Sequence, residues 1–275
     1  MSATESVLLI VHVYPHLLGT YGDAGNALVL YRRALARGIS AEIVPVHPGQ
    51  RLPRTGDVYL LGGGEDAKQT AAAQELREDG GLVVAAGRGA AIFGICAGYQ
   101  LLGETFLGVG GAEAPGLGLL DVRTDRLERR AVGNVLADAD PALGVPQLIG
   151  FENHGGATHL GPSASPLGRM RIGVGNGDGE EGTEGAVQGS VYGTYLHGPA
   201  LALNPGLADR VLGHAVGTLA PVDDRLVDDL RRHRFDHVLP ATARAGRRRS
   251  LLGALRREPA PSGATATLSS ASPSR

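Results

Sequence analysis

The run Ala91-Ile92-Phe93-Gly94-Ile95-Cys96-Ala97-Gly98-Tyr99-Gln100-Leu101-Leu102 constrains the fold more than any other stretch of the chain. Its first residues have strand character, and Leu101-Leu102 continue an apolar helical face. Gly94 and Gly98 stand two residues either side of Cys96, so the segment reads as a G-x-C-x-G elbow, the thiol counterpart of the G-x-S-x-G turn. A turn that passes so sharply from strand to helix needs residues without a Cβ around its apex. It presents the thiol at a helix N-terminus, where the dipole and free N–H groups favour thiolate. Cys96 is the only cysteine. Read alone, the motif also fits a buried structural thiol beside close-packed glycines.

The first hundred residues surround this elbow with alternating signals. Residues 7–13, 41–46, 58–61 and 91–95 read as strands, and residues 27–37 and 67–78 as helices, with another helix beginning at 82–86. Asp23-Ala24-Gly25-Asn26 offers turn and cap chemistry before the first helix, and Gly38 offers a stop after it. Near-continuously apolar strands alternating with helices predict a parallel sheet covered on both faces. Later the pattern changes to short strand-like runs at 119–124, 132–136, 147–151, 169–174 and 187–192, read as hairpins and a return to the sheet. Residues 175–185 read as an exposed acidic hairpin loop without the residue order of a calcium loop. Helices are expected at 205–216 and 223–238. One domain is expected over residues 1–240. Residues 241–275, with Arg247-Arg248-Arg249 and Arg256-Arg257, read as a disordered basic tail.

Composition narrows the classes of function. A net charge of −2 over 275 residues gives no general attraction to nucleic acid or anionic membranes. A single cysteine excludes an internal disulfide and fits a reducing compartment. No apolar run approaches the roughly 20 residues that span a bilayer, and the N-terminus lacks the basic region of a signal peptide. A cytoplasmic, non-spanning chain is the expectation. The 43 glycines and absence of tryptophan favour tight strand–helix turns and backbone-lined pockets over an aromatic groove.

A thiol nucleophile needs a base. Gly193-Thr194-Tyr195-Leu196-His197-Gly198-Pro199 follows an expected strand, at the edge where a parallel sheet presents its functional loops. His197 could take the thiol proton and deliver it to a leaving amine; alone, it is equally a structural histidine. Gly62-Gly63-Gly64-Glu65-Asp66 follows the third strand. Its N–H groups could face a developing oxyanion together with that of Ala97. A phosphate cradle and a simple turn are the other readings, and no G-x-x-x-x-G-K-[ST] run occurs in the sequence. His233 and His237 have helical i, i+4 spacing, but no glutamate follows His233 as a zinc motif of that type requires. His154 and His159 read as loop residues, and His12 and His16 flank the first strand.

These motifs together resemble a class I glutamine amidotransferase, in the branch grouped with cobyric acid synthase. Within that branch the chain is most similar to the glutaminase subunits of lipid II isoglutaminyl synthases. The landmarks are Tyr21-Gly22-Asp23-Ala24-Gly25-Asn26, the loop at 62–66, the elbow at 94–100, Gly116-Leu117-Gly118-Leu119-Leu120-Asp121, Gly150-Phe151-Glu152-Asn153-His154-Gly155-Gly156 and the run at 193–199. The resemblance implies a flavodoxin-like doubly wound α/β fold with hairpin additions. It implies a Cys96–His197 dyad, an oxyanion hole from Gly63 and Ala97, and glutamine contacts from Arg130, Gly64 and Gln100. Arg130 lies in Asp125-Arg126-Leu127-Glu128-Arg129-Arg130, where a solvated basic turn is the other reading of any one arginine. Most class I members carry a glutamate two residues after the histidine, where this chain has Pro199. Glu152 is the candidate orienting acid by motif, unless it holds its own turn. The implied partner is a Mur-ligase-like synthetase subunit that binds ATP and Mg and takes lipid II as acceptor, this chain needing no cofactor or metal of its own. A corrinoid or other carboxylate acceptor, or a non-catalytic homologue, are the alternatives.

Overall fold

A computed structural model describes residues 7–19, 22–177 and 182–238. The basic-tail reading at 241–275 lies outside the described residues, as does the centre of the acidic loop.

The chain opens with β1 (Leu8–Val13), α1 (Ala24–Leu35), β2 (Ala41–Val46), β3 (Val58–Leu61), α2 (Asp66–Asp79), α3 (Gly81–Gly87), β4 (Ala91–Ile95) and α4 (Ala97–Leu102). It continues through β5 (Thr105–Leu107), β6 (Glu113–Pro115), β7 (Val122–Ala139), β8 (Gln147–Leu160), β9 (Gly168–Ile172), β10 (Thr183–Glu184), β11 (Ala186–Gln188) and β12 (Val191–Thr194). It closes with α5 (Ala200–Leu203), α6 (Pro205–Val216) and α7 (Arg225–His233).

The first sheet has the order β11-β12-β4-β3-β1-β2, parallel except for the terminal β11–β12 hairpin. From β1 the chain moves outward to β2, whereas β3 to β4 runs the other way. Right-handed crossovers therefore put α1 and the α2–α3 pair on opposite faces. Every residue of β3, β4 and β12 is buried, which explains why their sequences run apolar rather than alternating. This is the doubly wound, flavodoxin-like arrangement expected. The strand order reverses between β1 and β3, and at that switch point the C-terminal ends of the strands leave a crevice.

Four expectations need correction. The runs at 119–124 and 132–136 are not separate strands. A single 18-residue β7 takes in the second half of the first run and all of the second, and pairs along β8 from Val122↔Leu160 to Asp138↔Gln147. With β5, β6, β9 and β10 this hairpin builds a second sheet, of order β10-β9-β7-β5-β6, and the expected return to the first sheet is made by β11 and β12. The basic run at 125–130 is therefore no free turn; it is a bulge in β7, where the register shifts between Arg126 and Ala131. The expected strand at 187–192 is two strands, divided at Gly189 with φ of +60°. The acidic loop is likewise not exposed throughout, because Glu184 at its end is fully buried. No helix among the described residues is long and apolar enough to cross a membrane.

The elbow depends on contact between its two glycines. A Cβ on Gly94 would lie 2.8 Å from the carbonyl carbon and oxygen of Gly98, and one on Gly98 would lie 2.4 Å from the Leu61 carbonyl oxygen. Gly94→Ala and Gly98→Ala are expected to destabilise the fold by about 1–3 kcal/mol each, as overpacking against backbone does. Gly133→Ala, where nothing lies within 4 Å, is expected to be neutral. Urea midpoints of the three variants check this contrast.

Candidate active site

Cys96 occupies the apex between β4 and α4 with φ of 52° and ψ of −105°, one of two non-glycine residues with positive φ among those described. Such backbone costs on the order of 1–3 kcal/mol and persists only where its surroundings hold it. The Cys96 N–H donates to the Thr194 carbonyl on neighbouring β12 at 2.9 Å, and the Gly98 N–H donates to the Gly62 carbonyl at 3.1 Å. The elbow is thereby tied to both adjacent strand ends. His197 follows β12, and its own N–H donates to the Phe151 carbonyl of β8 at 2.7 Å.

Gly63 adjoins both Cys96 and His197. A Cβ at Gly63 would stand 3.1 Å from His197 Cε1 and 3.5 Å from Cys96 Cβ. The structure thus brings together Cys96, His197 and the loop at 62–64. It also adds a residue that the sequence reading used only as cap chemistry. Asp23 makes no side-chain cap for α1. Its Oδ2 instead accepts the Gly63 N–H at 2.7 Å, and its carboxylate also accepts the Gly198 N–H. Its Oδ1 lies 4.0 Å from His197 Nδ1. Both side chains are almost fully buried.

Three assignments change in consequence. The Gly63 N–H is engaged by Asp23, and Gly63 is not among the residues that line the cavity. The Ala97 N–H bonds to the Cys96 thiol, and Gly64 lines the cavity beside both. Glu152 is not the acid next to His197. Its oxygens accept the Val174 N–H at 2.9 Å and the Gly175 N–H at 2.9 Å, and Oε2 lies 3.6 Å from His154 Nε2. Glu152 therefore holds a turn, and Asp23 is the carboxylate that faces the imidazole.

The third change concerns charge. The Ala97 N–H at the start of α4 favours the thiolate, but burial outweighs it. Burial pushes the Cys96 thiol up to about 12, with the Asp23 carboxylate adding to the rise. Burial likewise pushes the His197 imidazole down to about 4, helped by His154 and the Arg130 guanidinium. Burial thus favours thiol and neutral imidazole over thiolate and imidazolium.

A cavity opens beside the thiol, lined among others by Cys96, Ala97, Gly64, Gln100, Arg126 and Arg130. The β7 bulge projects the two arginines there; Arg129 is not among the lining residues. Arg130 is fixed by Asn153, donating Nε–H to Oδ1 at 2.7 Å and Nη2–H to the carbonyl at 3.1 Å. Gln100 is a wall of the cavity, its amide held by Gln69 at 2.8 Å and Tyr195 at 3.1 Å. His154, read from sequence as a loop residue, is buried in β8, lines the cavity and stacks on the Tyr195 ring with centroids 3.7 Å apart. Its place in the G-F-E-N-H-G-G landmark was the available signal.

Other histidines stand apart from this constellation. His16 stacks on His47, and His159 faces Asp125 at 3.5 Å on the exposed rim. Groups of three or more metal-binding side chains do not occur among the described residues.

The burial argument predicts how Cys96 titrates. Its alkylation by iodoacetamide is expected to be slow at neutral pH and to rise about tenfold per unit between about pH 7 and 10 without a plateau, following the thiolate fraction. A fast rate already level at about pH 5 would show an ion pair instead. Mass-spectrometric counting of alkylated Cys96, the sole thiol, measures it.

Comparison with known proteins shows the family. Residues 9–205 match the CobB/CobQ-like glutamine amidotransferase domain. The chain is 35% identical over 210 residues to the GatD subunit of lipid II isoglutaminyl synthase (glutamine-hydrolyzing) from Staphylococcus aureus (strain N315), covering 76% of this chain and 84% of that one. The corresponding subunit of Streptococcus pneumoniae (strain ATCC BAA-255 / R6) is 33% identical, with 76% and 80% covered. A cobyric acid synthase of Sphingopyxis alaskensis is 34% identical, over 66% of this chain but 39% of its own length. Among solved structures, a glutamine amidotransferase from Thermotoga maritima shares the fold with a TM-score of 0.50 at 17% identity, covering 92% of this chain and 100% of that one. With the domain matched across most of its length, this chain belongs to the CobB/CobQ-like family of glutamine amidotransferases.

Proposed function

We propose that this chain is the glutaminase subunit of a lipid II isoglutaminyl synthase, with Cys96 as nucleophile and His197 as proton carrier. The observation that carries the mechanism is the convergence of Cys96 and His197 on Gly63 beside an arginine-lined cavity. The acceptor rests on the 35% identity to the Staphylococcus aureus subunit across most of both chains.

In this reading Cys96 Sγ attacks the side-chain amide carbon of glutamine while His197 removes the thiol proton. The oxyanion is stabilised by the Ala97 N–H and the backbone of Gly64. His197 returns the proton to the departing nitrogen, the C–N bond breaks, and ammonia leaves behind a Cys96 thioester. Water deprotonated by His197 then attacks the thioester, and glutamate is released with the thiol restored. Arg130 binds the α-carboxylate of glutamine. A neutral imidazole, as burial here favours, is the form able to begin this cycle. Asp23 orients it and stabilises the imidazolium that forms, as the acid of a triad does.

Ammonia displaces nothing from a carboxylate that is not activated. The sequence has no P-loop motif, so we assign activation by ATP and Mg to a Mur-ligase-like partner that amidates the D-glutamate α-carboxylate of lipid II in the cytoplasm. The 4.0 Å gap between Asp23 and His197 is longer than a hydrogen bond. We expect partner binding to close it or to bring another acid to the imidazole, so that ammonia forms only when an acceptor is ready.

Purified Cys96→Ala is expected to release no glutamate from glutamine while keeping the wild-type melting temperature; measurable release would remove Cys96 from the mechanism. Arg130→Ala is expected to raise KM for glutamine with little change in kcat, because a carboxylate clamp binds substrate and transition state alike. If Arg126→Ala does this instead, the clamp is the other cavity arginine.

The isolated chain is expected to be a slow glutaminase that the synthetase partner accelerates. Asp23→Asn is expected to lower kcat in the complex by as much as about 10⁴-fold, the loss seen when a triad's acid is removed. Equal kcat with and without partner would show that Asp23 already suffices. Ammonia incorporation into lipid II, compared with a corrinoid acceptor, identifies the substrate.

A further inference from the structure

Glu184 is completely buried, yet it belongs to none of the steps above. Its Oε1 accepts the Thr194 hydroxyl and the Tyr195 N–H, the latter at 3.1 Å, and the carboxylate also accepts the Leu196 N–H. Its Oε2 is buried without a hydrogen-bond partner. These donors occupy three successive residues ending one position before His197. Thr194 also carries the other half of the site, because its carbonyl accepts the Cys96 N–H at 2.9 Å. Its hydroxyl, besides bonding Glu184, receives the Leu196 N–H at 3.0 Å. One carboxylate therefore underlies both the residue that holds the elbow and the segment that carries the imidazole.

We propose that Glu184 is a positioning residue of the amidotransferase site, clamping residues 194–196 and thereby setting the placement of the His197 imidazole against the Cys96 thiol. The proposal rests on the Cys96–His197 reading above. The physical reason is directional. The chain leaves β12 at Thr194 and must turn to bring His197 back beside Gly63. The N–H groups of that turn have left the sheet ladder and need an acceptor inside the protein. A charged acceptor makes bonds roughly twice as strong as a neutral one. A displacement of about 1 Å between reacting groups can cost 10²-fold in rate.

The titration of Glu184 supplies the signature that separates this role from simple packing. Burial raises its carboxyl to about 7, and the neighbouring Glu152 carboxylate adds to the rise. Glu152 is the charged side chain that raises it among the largest contributions, and it is in turn 3.6 Å from His154 Nε2. As pH rises through about 7, Glu184 becomes the charged acceptor and the clamp tightens. Neither member of the dyad titrates there, the thiol lying near 12 and the imidazole near 4.

The experiment is inactivation of the full chain by 6-diazo-5-oxo-norleucine, a glutamine-like electrophile, followed as Cys96 adduct by mass spectrometry between about pH 5.5 and 8.5. It compares wild type, Glu184→Gln and Glu184→Ala. Wild type is expected to show a step upward near pH 7 in its rate constant relative to Glu184→Gln, a ratio that cancels the dependence on thiolate fraction common to both. Glu184→Gln keeps the shape and one acceptor oxygen; it is expected to lose the step and to react about 10-fold more slowly above it, with the reagent's half-saturation concentration unchanged. Glu184→Ala is expected to be about 100-fold slower; should it fail to fold, the isosteric glutamine variant still decides. A folded Glu184→Gln with the wild-type rate and the same pH step would overturn the proposal. Absence of any Cys96 adduct in wild type would instead overturn the nucleophile assignment on which it rests.

Discussion

The approach of α4 to β3 is the contact on which the site depends. The Gly98 N–H reaches the Gly62 carbonyl at 3.1 Å because neither Gly94 nor Gly98 has a side chain to separate the two backbones. That approach leaves Cys96 at the tip of a turn too tight for ordinary φ and ψ. It also sets the loop at 62–64 against the elbow, so that Gly63 adjoins both Cys96 and His197 and leaves little room for a side chain there. Every later feature of the site, from the cavity to the carboxylate beside the imidazole, is built around this one close contact of backbones.

Buried carboxylates hold the surrounding loops, and backbone N–H groups rather than basic side chains receive them. Asp23 ties Gly63 to Gly198, Glu152 ties Val174 to Gly175, and Glu184 ties Tyr195 to Leu196. An unpaired buried charge costs several kcal/mol on the order of magnitude, so each of these groups depends on its donors. Chains leaving the ends of strands have N–H groups released from the sheet ladder, and a carboxylate can satisfy two or three of them at once. The same desolvation keeps Cys96 and His197 neutral. The site is thus prepared as a neutral acid–base pair whose charge separates only when the thiol attacks.

The second sheet gives the cavity its outer wall. The β7 bulge breaks the ladder where Arg126 and Arg130 must leave the strand's ordinary alternation to face the same cavity as Cys96. Asn153, on the partner strand, fixes Arg130 through two hydrogen bonds. The core α/β sheet supplies the reacting groups, and the hairpin appended to it supplies the cationic side of the substrate cavity.

Local sequence determined the parts of this protein whose signal is local. The apolar strands and intervening helices of the first hundred residues, the helix at 205–216 and the G-x-C-x-G turn all follow from periodicity and glycine spacing, and the landmarks pointed to the family. What only the tertiary structure decided lies in contacts between distant residues. Asp23 looked like helix-cap chemistry, and its carboxylate reaches Gly63, 40 positions away. Glu184 sat in an acidic stretch and proved to be buried, because pairing of β10 with β9 and β11 with β12 folds the end of that loop inward. Long β7 was read as two strands because its charged middle has no apolar alternation; pairing with β8 carries it through. The state of the thiol went the same way, since a helix N-terminus is visible in sequence, whereas desolvation depends on everything packed around it and here outweighs the dipole.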